Sequence, residues 1–233
     1  MIKEIWKLIK KYWLICLCVF SFFIASVFQL AVVKVERDTE KKKVHTVKIE
    51  KDVWKTLYKN KIAEEEMRIQ EEDFVLAFHP DISFKDMRAI VKGVNKHYKR
   101  TGLSRMNFYS ICAQESRFRK NAVGKENKND IGLCQINKHT YKYFKKIEIV
   151  SEEWNPDKMK SIEFNIEVAS LILERYRKRI EKRYPKKSKE FIDMLLINSY
   201  NRGVGGAILE FKKDGSLGYY EDVKRWKKFW KEG

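Results

Sequence analysis

Residues 111–118 read ICAQESRF, with Glu115 near their centre. Ile111, Glu115 and Phe118 stand at i, i+4 and i+7, and Phe108 extends the row one turn earlier. A helix here would hold a carboxyl in an apolar stripe, with Arg117 and Arg119 directed elsewhere. Burial beside aliphatic and aromatic groups disfavours a carboxylate and raises its pKa. A glutamic acid kept protonated near neutral pH can act as a general acid. A Glu near a helix end that binds a buried Arg or a backbone amide gives the same pattern, and periodicity by itself favours that plainer reading.

The flanking segments also read as helices. Ser83 followed by Asp86 resembles a capping box. Met87, Ile90, Val91, Val94 and Tyr98 then recur at helical spacing until Thr101-Gly102 breaks the run. Residues 121–130 are polar, contain Gly124 and predict a loop, with a short helix starting after Gly132. Asn155-Pro156 marks a turn. Residues 164–180 form a long amphipathic pattern with Val168, Leu171, Ile172 and Tyr176 inward, closed by Pro185. Phe191, Met194 and Leu195 begin a further helix that runs into Tyr200-Asn201 and is expected to end at Gly203, Gly205 and Gly206. No strong alternating strand and no internal repeat occurs. The fold class predicted for residues 80–233 is mainly α.

Residues 1–79 differ in character. Residues 1–11 are short and basic and predict a cytoplasmic tail. Residues 12–33 carry no formal charge, Gln29 being the most polar. As a helix they would span roughly 33 Å, about a bilayer core. The run is long for a signal sequence and no small-residue cleavage pattern follows it. Cys16 and Cys18 lie inside the run, which fits a lipoprotein signal poorly. The expectation is an uncleaved single-pass transmembrane anchor in the cytoplasmic membrane. Lys3, Lys7, Lys10 and Lys11 precede it and favour an inside N-terminus. Residues 34–79 are rich in both charges and lack Gly and Pro, while Trp54, Leu57, Tyr58 and Ile62 give a patchy helical face. They predict a solvated helical stalk, ended by Pro80.

The whole chain has 233 residues, 44% of them hydrophobic, and a formal net charge of +18. That size and composition permit a real core, and the charge favours anionic partners. No nucleic-acid-binding motif accompanies it, so no specific nucleic-acid partner is expected. The four cysteines form no CxxC, and His45, His79, His97 and His139 are dispersed. No metal and no cofactor are expected. Cys112 and Cys134 are expected as two buried thiols, a disulfide in an oxidising compartment being the alternative.

Four stretches share an order and spacing: Glu115-Ser116-Arg117-Phe118 with Ala122-Val123; Gly132-Leu133-Cys134-Gln135-Ile136; Asn165-Ile166 at a helix start; and Ser199-Tyr200-Asn201-Arg202-Gly203. Together they resemble the lytic transglycosylase domain of the lysozyme-like superfamily, which is related to goose-type lysozyme. The resemblance covers roughly residues 83–211. Any single motif would carry little weight, but four in register overturn the plainer reading of Glu115.

The resemblance implies roles. Glu115 would give its proton to the leaving glycosidic oxygen and then act as base toward the sugar's own C6 hydroxyl, yielding a 1,6-anhydro product. That route needs no activated water and no second carboxylate, unlike the usual two-carboxylate plan. Asp130 is the acidic residue placed to serve a hydrolase, with a turn residue as the plainer reading. Ser116 would touch substrate or orient nearby backbone; a helix-surface hydroxyl is the alternative. Gly132 would admit close backbone approach to ligand, or be an ordinary turn glycine. Gln135 would bind a sugar amide or be a buried structural amide. Tyr200 would hydrogen-bond Glu115 or the substrate, or be a core aromatic. Asn201 is a further substrate-binding candidate that also suits a turn, while Asn165 suits a pin for its own helix. Two positions depart from the family: Cys134 stands where methionine is usual, and Arg202 where a small residue is frequent.

The function so implied is cleavage of the MurNAc–GlcNAc β-1,4 bond of peptidoglycan by a membrane-anchored lytic transglycosylase whose domain lies outside the cytoplasm. The partners are glycan strands and the membrane. Wall remodelling, an envelope-spanning secretion or conjugation apparatus, and phage lysis would all employ the same domain. Alternatives are a goose-type muramidase hydrolysing that bond and a wall-binding scaffold without turnover.

Overall fold

The computed structural model describes residues 2–124, 128–215, 217–226 and 230, with side chains described for these except 2–11, 14–20 and 47. The first helix, α1, spans Ile2–Phe78. The chain divides within it into two compact units, Met1–Glu64 and Glu65–Gly233.

In the first unit, Phe22, Phe23, Phe28 and Leu30 are exposed apolar side chains. Among the described residues, no helix is long and apolar enough to cross a membrane. The side chains of residues 14–20, in the N-terminal half of the expected anchor and including Cys16 and Cys18, lie outside the description.

The second unit begins earlier than residue 80, because the end of α1 is built into its core. Phe74 and Val75 are buried, and Glu71 is fully enclosed. The Glu71 carboxylate accepts from Asn95 Nδ2 at 2.7 Å and pairs with Arg105 Nη1 at 3.1 Å. A carboxylate is tolerated inside because charged and polar partners replace its water. The charge-rich pattern of residues 65–78 therefore hides an inward face.

Helix α2 (Phe84–Thr101) starts as expected, the Ser83 hydroxyl accepting from the Asp86 amide at 3.1 Å. It buries Met87, Ile90, Val91 and Val94 and stops at Gly102. Helix α3 (Arg105–Ser116) carries Glu115. Its residues 107–113 are all buried, so it is a central helix enclosed on every side and not an amphipathic one. It also ends before Phe118. Arg117 and Phe118 take left-handed backbone angles, φ 53° and 59°, which turn the Phe118 ring back among the aromatic side chains beside α1.

Two short strands, β1 (Asp130–Ile131) and β2 (Ile136–Asn137), pair antiparallel, and Val123 bridges to Ile131. The helix expected after Gly132 starts later, as α4 (Lys138–Lys146), where the Asn137 side chain caps the free amides of His139 and Thr140. A single turn, α5 (Pro156–Met159), leads into α6 (Ile162–Arg183), whose buried face includes Ile166, Val168, Ile172 and Tyr176. Helix α7 (Lys189–Asp214) is two helical halves, and the first ends at the glycine cluster, as expected. It kinks once, at Gly203 (φ 67°, ψ 163°), in a backbone region that only glycine enters readily. Helix α8 (Gly218–Trp226) closes the unit and packs on α3 and α7, while α6 packs between α2 and α7.

Candidate active site

Glu115 sits in the last turn of α3, half-buried, and lines a cleft of about 230 Å³ with Asp130, Gln135, Asn137, Thr140, Tyr200 and Asn201. Its carboxyl is pushed up to about 7. Desolvation by the surrounding core is the main cause, the negative charge of Asp130 adds to it, and a hydrogen bond from Tyr219 works in the opposite direction. The group is therefore about half protonated near pH 7, where an ordinary carboxyl would be fully ionised.

The Tyr219 hydroxyl, from the first turn of α8, donates to Glu115 Oε1. Of the roles expected for Tyr200, the hydrogen bond to Glu115 belongs to Tyr219 instead, while Tyr200 lines the cleft. Tyr200 donates to the backbone carbonyl of Cys134 at 2.7 Å. Burial raises both phenols well above their ordinary range, so both remain donors. Tyr219 lay beyond the last motif, and the only signal for it was the spacing of Tyr219, Val223 and Trp226 on one helical face.

The other candidates separate into supports and cleft residues. Ser116 is buried. Its hydroxyl donates to the Leu133 carbonyl at 2.6 Å and accepts from the Arg119 amide at 3.1 Å, so it orients backbone and does not reach the cleft. Gly132 has φ 88°, and a Cβ there would meet Asn165 Nδ2 and the Met159 carbonyl at 2.3 Å. The close approach it permits is to the protein's own core. Asn165, fully buried, is the pin: Oδ1 accepts from the Cys134 amide at 2.7 Å, and Nδ2 donates to Ile131 and Met159 carbonyls at 3.0 and 2.9 Å. These bonds shape residues 131–135 as one wall of the cleft.

Gln135 stands in that wall with φ 48°. Its Nε2 donates to the Ala122 and Gly132 carbonyls at 3.1 and 2.8 Å, which leaves Oε1 as the group for a ligand. Asn201 is exposed at the cleft. Asp130 also lines it, with Oδ1 taken by Asn137 Nδ2 at 2.6 Å. Cys134 and Cys112 are free, buried thiols, as expected, and burial pushes the Cys134 thiol up strongly. The cysteine thus faces the core and contributes its carbonyl, not its side chain, to the site. Arg202 turns from the cleft to pair with Glu210 at 3.1 Å. Glu210 also accepts from Asn198 at 2.8 Å and from the Gly218 amide at 3.2 Å, tying both halves of α7 to the start of α8. Among the described residues, no cluster of His, Cys, Asp or Glu could hold a metal ion.

A protonated, desolvated carboxyl facing a polar cleft can transfer a proton to a leaving oxygen and recover one afterwards. Comparison with known proteins agrees with the motifs: the family model described as the transglycosylase SLT domain matches residues 93–223, more than half of the chain and past the end of the expected region into α8. No curated protein matches the chain.

Proposed function

Since this chain belongs to the transglycosylase SLT domain family, we propose that it cleaves the MurNAc–GlcNAc β-1,4 bond of peptidoglycan as a lytic transglycosylase, with Glu115 as both acid and base. The observation that carries this reading is the Glu115 carboxyl, raised to about 7 at the wall of a polar cleft. Its proton passes to the glycosidic oxygen as the C1–O bond breaks, leaving positive charge on the sugar ring. The carboxylate so formed keeps the hydrogen bond from Tyr219. It then takes the proton of the C6 hydroxyl as O6 bonds to C1, closing the 1,6-anhydro ring and restoring the acid. No water is consumed. Gln135 Oε1 and Asn201 offer polar contacts to the sugar substituents.

A second reading, hydrolysis in the manner of goose-type lysozyme, is favoured by one observation: Asp130 shares the cleft and raises the Glu115 pKa through its charge. Against it, Asp130 is engaged by Asn137. Mass spectrometry of muropeptides released from sacculi separates the two. Products with anhydro ends support transglycosylation, and products heavier by one water support hydrolysis.

The placement proposed is the outer face of the cytoplasmic membrane, anchored by residues 12–33. The supports are that uncharged run, the lysines before it and the exposed Phe22, Phe23, Phe28 and Leu30. Retention of the full chain in carbonate-washed membranes, and its release when residues 1–33 are deleted, is the expected result; a full chain that washes off contradicts the anchor.

A further inference from the structure

Besides its contacts to α3 and α7, α8 is held by an aromatic clasp whose residues lie outside the 93–223 region matching the family. On the α1 side they are Phe74 and Phe78, and on the C-terminal side Trp226 and Trp230. The Phe78 ring meets Trp226 edge-on, centroids 4.7 Å apart at 89°. Phe74 meets Trp230 at 5.3 Å, and Trp230 lies 6.0 Å from Tyr109 of α3. Both phenylalanines also reach Phe118, at 6.0 and 6.3 Å, just after the Glu115 helix ends. Aromatic pairs in such edge-on geometry attract beyond their burial alone.

The clasp continues to the cleft through α8. Trp226 Nε1 donates to Gln114 Oε1 at 2.7 Å, one residue before Glu115. Tyr219, two turns earlier on the same face, donates to Glu115 itself. Val223 between them is fully buried. Helix α8 is thus pinned at both ends to consecutive residues of α3, and at its far end to α1.

We infer that Phe78 and Phe74, at the end of the N-terminal helix, are positioning residues that act through Trp226 and α8 to keep Tyr219 on Glu115 and water off it. This rests on the proposed role of Glu115 as the acid. The consequence is that a segment with no place in the family match completes the catalytic site. Opening the clasp lets α8 lift from α3. The hydrogen bond from Tyr219 and the desolvation of Glu115 then both weaken. Desolvation is the larger influence, so the carboxyl drops toward its ordinary value. The other groups whose fields meet Glu115 are Asp130 on β1, Cys134 in the cleft wall and Tyr200 on α7, none of them a member of the clasp.

The test uses the full chain in detergent micelles. Phe78→Ala, the milder Phe78→Leu and the ring-keeping Phe78→Tyr are compared with wild type for turnover of sacculi against pH. The Glu115 carboxyl is also titrated directly by ¹³C NMR of Glu-labelled protein, with Glu115→Gln assigning the signal. The expected result is an alkaline limb and a Glu115 titration that both move to lower pH in Phe78→Ala and Phe78→Leu, kcat falling by about tenfold, and recovery in Phe78→Tyr. A folded Phe78→Ala or Phe78→Leu chain whose Glu115 titrates at or above the wild-type pH overturns the inference. A wild-type chain without turnover would sink the proposed function instead, and the NMR titration would still decide the clasp.

Discussion

The Tyr219 hydroxyl donates to Glu115 Oε1 across a separation of 104 residues. The two groups come from the first turn of one helix and the last turn of another, and the contact favours the charged carboxylate while the surrounding core disfavours it. Desolvation wins, but the phenol limits its extent.

Removing that phenol has a defined direction. In Tyr219→Phe the ring still excludes water, and only the hydrogen bond that lowers the Glu115 pKa is lost. The alkaline limb of the pH–rate profile should move above its wild-type position near pH 7. A limb that moves down, or stays, would mean that Tyr219 does not tune Glu115.

The raised carboxyl also makes a prediction for stability. Glu115 titrates near 7 when folded and near 4.5 when unfolded. Below the unfolded value both states are protonated and the residue costs nothing. As pH rises from there to about 7 the unfolded chain releases a proton that the folded chain keeps, and stability falls. Glu115→Gln should therefore be more stable than wild type at pH 8, by up to about 3 kcal/mol, and equal to it near pH 4. Thermal melts at the two pH values check this, and a difference independent of pH contradicts it.

How much of this was legible in the sequence differs from residue to residue. Glu115, Gln135 and Asn201 were found because their motifs lie in the chain order that marks the family, and all three line the cleft. Ser116 and Gly132 belong to the same motifs but support the cleft wall, while Tyr200 lines the cleft and also bonds that wall through the Cys134 carbonyl, because a motif records both lining residues and those that hold them. Tyr219 was missed since its partner is remote in sequence and its helical row with Val223 and Trp226 lies beyond the last motif. The end of α1 was read as stalk because Glu71 sits among many charges, and only its pairing with Arg105 and Asn95 reveals that it is inside.

That misreading gives a practical expectation. Phe74 is buried against Phe118, Tyr109 and Trp230. Phe74→Ala should cost about 3–5 kcal/mol, and a chain begun at residue 80 should lose cooperative unfolding where one begun at residue 65 keeps it. Denaturant melts of the two truncated chains check the boundary.

Gly132 makes a second structural test. A methyl group there collides with Asn165 and with the Met159 carbonyl, and the positive φ is itself unfavourable for alanine. Gly132→Ala should destabilise by more than about 2 kcal/mol and lower turnover by displacing Gln135. A folded variant of wild-type stability would show that the wall can shift freely.

The most direct measurement is release of soluble muropeptides from sacculi by the wild-type chain and by Glu115→Gln, with sedimentation of both proteins alongside the sacculi. Glutamine keeps the shape of the side chain and removes its transferable proton. The account predicts release by wild type only, with both proteins pelleting equally. Substantial release by Glu115→Gln would place the proton transfer on another residue and contradict it.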